Sequence, residues 1–179
     1  EIFFTDVQVP IENRLGAEGE GWKVTVSALA NERSSIGEVT QMFSKLDELK
    51  ELVKSTRVQG RPAAEDPAVR RQLARFETKI AAMKYNGLRY LTKQIKGEPL
   101  SSETSVNKLH RASLEIEMDD FAVSLSGEAG LQLKGGENAV GGGSWSKSAL
   151  NWPNVVIGGG TPNIQRNIIA ERILGLPKD

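Results

Sequence analysis

Between Trp22 and Ser55 the apolar side chains step by three and four: Leu29, Ile36, Val39, Phe43, Leu46, Leu49 and Val53. That spacing is the repeat of one helix face and fits no strand. A helix of this length spans about 50 Å, so the chain must supply other long helices to cover its stripe. Asp66 as a cap and Pro67 in first position open a second helix, with Val69, Leu73, Phe76, Ile80, Met83 and Leu91 in one row and an end near Gly97. A third begins near the cluster 101–105 and carries Leu114, Met118, Phe121 and Leu125. A fourth is capped by Thr161 with Pro162 behind it; Ile164, Ile168, Ile169 and Ile173 form its expected buried rows, and Gly175 and Pro177 stop it. Four helices with short connections predict an all-α, antiparallel four-helix bundle.

Two stretches depart from this pattern. Residues 1–10 are aromatic and β-branched and end at Pro10, which reads as a short strand. A single strand cannot satisfy its own hydrogen bonds. The opening is therefore expected to be the last strand of a sheet beyond this chain, with 1–21 closing a β-domain and 22–179 forming the helical domain. The second departure lies between the third and fourth helices. Ten of the eighteen glycines fall between Gly127 and Gly160, together with Trp145 and Trp152. This predicts an irregular connection packed against something.

Composition narrows the function more than it narrows the fold. Lys plus Arg and Asp plus Glu are 23 each, so the net charge is zero and gives no reason to expect nucleic acid or an anionic membrane. With no cysteine and His110 as the one histidine, disulfides, thiolate chemistry, a His-based metal cluster and a Ser-His-Asp triad are all disfavoured, and no metal is expected. No apolar run approaches the length of a membrane span. A cytoplasmic protein is expected.

Three places carry chemistry. Glu32 sits in the stripe Leu29, Glu32, Ile36, Val39, Phe43, where an apolar residue belongs. A carboxylate on a buried face has its pKa raised and suits a general base, and Arg33 beside it suits an anionic substrate group; the alternative is an ordinary surface carboxylate or a structural ion pair. The run Gly158-Gly-Gly160-Thr161-Pro-Asn163 leads into a capped helix start, a geometry able to hold an anion or to serve only as a flexible cap. Arg57 and Arg61 flank a turn after the first helix, fitted to clamp a phosphate or to answer the helix dipole. His110 reads as structural, the acidic run Glu115, Glu117, Asp119 and Asp120 as a solvated face, and the tryptophans as packing.

The closing run Ile157-Gly-Gly-Gly-Thr161-Pro-Asn-Ile-Gln165-Arg-Asn-Ile-Ile169-Ala-Glu-Arg-Ile-Leu-Gly175-Leu-Pro177 resembles the terminal motif of acyl-CoA dehydrogenases. The opening Phe3-Phe-Thr-Asp-Val-Gln-Val-Pro10, followed by Gly16-Ala-Glu-Gly-Glu-Gly21-Trp22, is similar to that family's exit from its middle β-domain. Asn31-Glu32-Arg33 and the segment 105–109 fall in the expected order. The resemblance implies the C-terminal helical domain of a flavoenzyme with FAD as cofactor and an acyl-CoA as substrate. An electron-transfer flavoprotein is the implied electron acceptor, and lipid metabolism the implied setting.

Many members carry the base just before the Gly-Thr of the terminal motif, and here that position is Gly159. A second subgroup, like the isovaleryl and long-chain enzymes, places it on the first helix, which corresponds to Glu32 as the catalytic residue with Arg33 positioning substrate. Gly160, Thr161 and Asn163 correspond to FAD contacts, and Arg57 to a contact with the FAD phosphates of a neighbouring subunit. Two positions depart from the family: Gln59-Gly60 replaces a Phe-Gly pair, and Ser124 to Gly127 only loosely matches a Gln-x-x-Gly-Gly adenosine motif. A homodimer or homotetramer is expected. The alternative is a non-catalytic subunit, or helical oligomerisation partner, of a heteromeric acyl-CoA dehydrogenase. The chain by itself is expected to be inactive.

Overall fold

The computed structural model describes residues 2–32, 36–98 and 102–178. Helices α1 (Gly21–Glu32) and α2 (Ile36–Ser55) account for the described part of the first helical pattern. A hairpin follows, with β1 (Arg57–Val58) antiparallel to β2 (Arg61–Pro62) in the register Val58↔Arg61. Its two turn residues, Gln59 and Gly60, have φ of 50° and 79°, the doubly left-handed turn that matches the twist of a tight hairpin. Helix α3 (Pro67–Ile95) starts as the sequence predicts: an Asp66 carboxylate oxygen accepts from the Ala68 N–H at 2.6 Å. Helix α4 (Thr104–Ser126) completes the long elements.

The directions of the long helices follow from their cross-links. Between α3 and α4, Lys79 meets Glu117, Asn86 meets Asn107 and Lys93 meets Glu103, so one number rises as the other falls. The two helices are antiparallel. Between α2 and α4, Glu38 meets Arg111 and Lys45 meets Asp119, so this pair runs parallel.

The core lies where the three stripes converge. Leu46 and Leu49 of α2, Phe76, Ile80 and Met83 of α3, and Leu114, Met118 and Ala122 of α4 are buried in one cluster, joined by Trp145. Phe76 and Phe121 meet edge to face, ring centroids 5.7 Å apart, the arrangement that the ring quadrupoles favour. Val53, Ala63 and Val69 form a satellite cluster at the hairpin end.

The glycine-rich connection is more regular than its composition predicts. After a turn over Gly127–Leu131 it forms α5 (Ser144–Leu150) and α6 (Trp152–Ile157), then α7 (Pro162–Ile168), which passes into a π-helical turn, Ile169–Ile173. Glycine is required at 130, where a Cβ would collide with the Val123 carbonyl oxygen. Trp145 is buried, as a packing residue should be, whereas Trp152 is half exposed.

Several expectations are corrected. Residues 2–10 form no strand: among the described residues the hairpin is the one sheet, and Ile2, Phe3 and Phe4 lie exposed with no ladder to join. Ile164 and Ile173 are exposed rather than buried, because α7 turns Gln165, fully buried, toward α4. Leu91 is likewise exposed, and Tyr90 takes the inward place, its hydroxyl donating to the Glu103 carbonyl at 2.7 Å. The acidic run on α4 is not one solvated face, since Asp119 is buried. No described helix is long and apolar enough to cross a membrane.

Candidate functional site

Helix α4 carries a polar row inside an otherwise apolar packing surface. Thr104, Lys108, Arg111, Glu115 and Asp119 recur at steps of three and four, so they stack along one face. Lys45 of α2 projects into this row. Its ammonium lies 2.8 Å from Asp119 Oδ1 and 3.7 Å from Glu115 Oε1, donates to Ser148 Oγ at 2.9 Å, and stands 5.8 Å from the centre of the Trp145 ring. Arg111 extends the network: one guanidinium nitrogen donates to Glu38 Oε1 at 2.8 Å, and another lies 3.5 Å from Glu115 Oε2. Charged groups from Glu38 to Asp119 thus link α2, α4 and α5. Burial pushes the Asp119 carboxyl above its ordinary value; hydrogen bonding and charge from Lys45, and the Ser148 hydroxyl, oppose that shift without cancelling it, and Glu115 adds to it.

Lys108 is the member of the row nearest the terminal motif. It is buried, and its ammonium donates to the carbonyls of Val155 at 2.9 Å and Val156 at 3.3 Å. A cation there answers the carboxyl end of α6. Its stem lies directly before Gly159, whose φ is 69° and where an added Cβ would touch Lys108 Cε at 3.4 Å. Around this contact lies a cavity of about 310 Å³, lined by Glu38, Lys108, Arg111, Glu115, Asn151, Asn154, Val155, Gly158 and Gly159.

The glycine loop is held from the helix that follows it. The Gln165 side-chain amide donates to the carbonyls of Gly159 at 2.9 Å and Gly160 at 3.3 Å. Gly160 has φ of 102°, and a Cβ there would lie 2.6 Å from the Gln165 amide nitrogen. Thr161 caps α7, its hydroxyl accepting from the Ile164 N–H at 3.4 Å. The Gly158 and Gly160 N–H groups bond to the carbonyls of Asn154 and Ile157. Much of the donor capacity read from the sequence as an anion cradle is therefore spent within the loop.

The residues singled out in the sequence do not all converge. Gly160, Thr161 and Asn163 share the loop and helix start, with Asn163 exposed and its Oδ1 accepting from Arg166 at 3.1 Å. Arg57 lies at the far end of α2, which at twenty residues runs about 30 Å. There its guanidinium folds back as an exposed donor to the Gly60 carbonyl at 3.1 and 3.0 Å. Glu32 is the last residue of α1, six positions before Glu38. Its side chain, and all of Arg33, lie outside the described residues. By donor chemistry, an exposed guanidinium, a threonine hydroxyl and an exposed amide suit the phosphates and polar ring edges of FAD. Among the described residues no group of His, Cys, Asp and Glu is arranged to hold a metal ion.

Sequence reasoning missed Lys108 and the Lys45 network. The available signal was the spacing of charged residues along α4 in phase with its apolar row.

A helical domain with a glycine loop braced into its last helix places this chain in a known class. Residues 19–174 match the acyl-CoA dehydrogenase C-terminal domain, and the chain belongs to the acyl-CoA dehydrogenase family. It is 33% identical to acyl-CoA dehydrogenase IpdE1 of Mycobacterium tuberculosis over all of its length and 44% of that protein. It is 34% identical to IpdE1 of Mycolicibacterium smegmatis, again over its whole length and 43% of the relative. The chain thus spans less than half of either protein. Among solved structures it resembles the ChsE4–ChsE5 complex of Mycobacterium tuberculosis, with a TM-score of 0.80 and 26% identity over 99% of this chain and 46% of that one.

Proposed function

We propose that this chain serves as the C-terminal helical domain of an FAD-dependent acyl-CoA dehydrogenase that converts an acyl-CoA thioester to its 2-enoyl-CoA. Residues 1–21 are the exit from a middle β-domain and 22–179 the helical domain. Glu32 takes the α-proton of the thioester, and Arg33 positions the substrate and the base. The observation that carries this assignment is the glycine loop. Position 159 has no side chain, and the space before it is taken by the stem of Lys108, so a base from the terminal motif is lacking and one from the first helix is needed. FAD, when bound, would supply the acceptor for the hydride lost from the β-carbon, with an electron-transfer flavoprotein as the partner that would receive the electrons. Gly160, Thr161 and Asn163 would hold the cofactor near the loop, and Arg57 would reach the FAD phosphates of a neighbouring subunit.

Exposed apolar side chains, among them Phe3, Phe4, Trp22, Trp152 and Ile157, support assembly into a homodimer or homotetramer. A second reading has one specific support. Gln59 and Ser124 depart from the family's flavin contacts, and the solved relative is a complex of two chains. In that reading this chain is the non-catalytic member of a heteromeric dehydrogenase.

The test uses the full-length protein carrying this chain, with and without Glu32→Gln, titrated anaerobically with acyl-CoAs while the visible flavin band is followed. Bleaching in the parent, and its loss in a Gln variant that still holds flavin, supports Glu32 as base. A yellow parent that no acyl-CoA bleaches favours the partner-subunit reading. Light scattering that shows a clean monomer counts against both assemblies.

A further inference from the structure

We propose that the cavity before Gly159 receives an oxygen-bearing part of the acyl group, so that the substrate is an acyl-CoA with a hydroxyl or keto oxygen beyond its β-carbon. This rests on the acyl-CoA dehydrogenase reading above and names the substrate class for it.

The lining decides the chemistry. Of the nine residues around the cavity, Val155 alone brings an aliphatic side chain. The others are two carboxylates, two cations, two asparagines and two glycines, whose contribution is backbone. A saturated alkyl chain placed here would strip water from the partly exposed Glu38, Arg111 and Glu115 and return no hydrogen bond. Desolvating charged groups in that way is strongly unfavourable. Small-molecule sites of about 300–1,000 Å³ are ordinarily mostly apolar with a few polar anchors, and this one inverts the proportion. The two cations and two carboxylates balance, so the lining does not call for a charged ligand. A neutral oxygen matches it, able to accept from the amides and cations and, as a hydroxyl, to donate to the carboxylates.

Residue 159 makes the space available. A residue with a long side chain there would meet the Lys108 stem and fill the mouth between α4 and α6. The same glycine that removes a base from the loop therefore opens a polar recess beside it.

The experiment measures binding rather than turnover, so its outcome is independent of which residue is the base. The full-length holoprotein is titrated calorimetrically with hexanoyl-CoA and with hydroxyhexanoyl- and ketohexanoyl-CoA oxygenated next to the chain end. The oxygenated thioesters are expected to bind about tenfold more tightly, the size of one hydrogen bond to a charged group. Lys108→Met and Asn154→Leu are each expected to bring that ratio toward one. Asn154 is exposed on α6, so its variant decides the matter even if Lys108→Met fails to fold. Equal or tighter binding of hexanoyl-CoA overturns the proposal, and so does a preference untouched by Asn154→Leu. Preferential binding without any flavin bleaching sinks the catalytic reading while the cavity assignment stands.

Discussion

The two sides of α4 are made of opposite materials. Toward α3 its core contacts are apolar, with Leu114 and Met118 joining Phe76, Ile80 and Met83 in a dry seam, and polar links such as Lys79–Glu117 and Asn86–Asn107 lie along its edges. Toward α2, α5 and α6 the same helix presents Lys108, Arg111, Glu115 and Asp119. The dry seam is non-directional, tolerates exchange among side chains of similar volume, and carries most of the stability. The ionic seam contributes little net stability, since desolvation offsets much of the attraction. What it adds is direction. Lys45 has one place where it can meet Asp119, Glu115 and Ser148 together, and that place sets α2 against α4 and α5. Packing strength and site geometry are thus assigned to different faces of one helix.

The contrast is most directly broken in the dry seam. Phe76→Ala removes a fully buried ring and its edge-to-face contact with Phe121, and should cost about 3–5 kcal/mol by chemical denaturation. A loss near 1 kcal/mol would mean that the seam closes over the hole and is looser than it looks. The ionic seam is tested by Lys45→Met, which leaves Asp119 without its cation beside Glu115, whose remaining partner is Arg111. That change should cost about 3 kcal/mol, and the double variant Lys45→Met with Asp119→Leu should recover most of it. No recovery would show that Lys45 acts through packing against Trp145 and not through charge.

The smallest expected effect is on pH dependence. Asp119 binds its proton more tightly folded than unfolded, because burial raises its pKa. Its contribution is therefore fully present below the ordinary carboxylate value and is lost as the pH rises through the raised folded value. Denaturation midpoints of the protein and of Asp119→Asn, measured across the acid range, should diverge in slope within that window alone. Parallel profiles would remove Asp119 from the account.

How much of this was legible in the sequence differs from element to element. Helix α3 was readable from cap to stop, because Asp66, Pro67 and the row through Met83 are all local signals on one continuous helix. The cap of α7 was readable for the same reason. Helices α5 and α6 were not, since six or seven residues show too little periodicity to stand out among glycines. The hairpin at Arg57 was hidden because Gln59 adopts positive φ without being glycine. In the site, the loop from Gly158 to Asn163 was visible as a motif; the sequence also marked Glu32, whose side chain lies outside the described residues, as an odd carboxylate. Lys108 and Lys45 were not, because what makes a cation meaningful is its partner. Asp119 lies seventy-four residues from Lys45 along the chain.

The amino-acid order alone determined that this chain is helical, where α3 begins, and that position 159 offers no base. These follow from short-range physics: residue spacing, caps, and the absence of a side chain. Only the tertiary structure decided which charges are buried, which isoleucines stay exposed, and that Lys108 stands before Gly159 over a polar recess. Burial and pairing are properties of distance in space, and helices far apart in sequence must pack before a lysine on one can find a carbonyl or carboxylate on another.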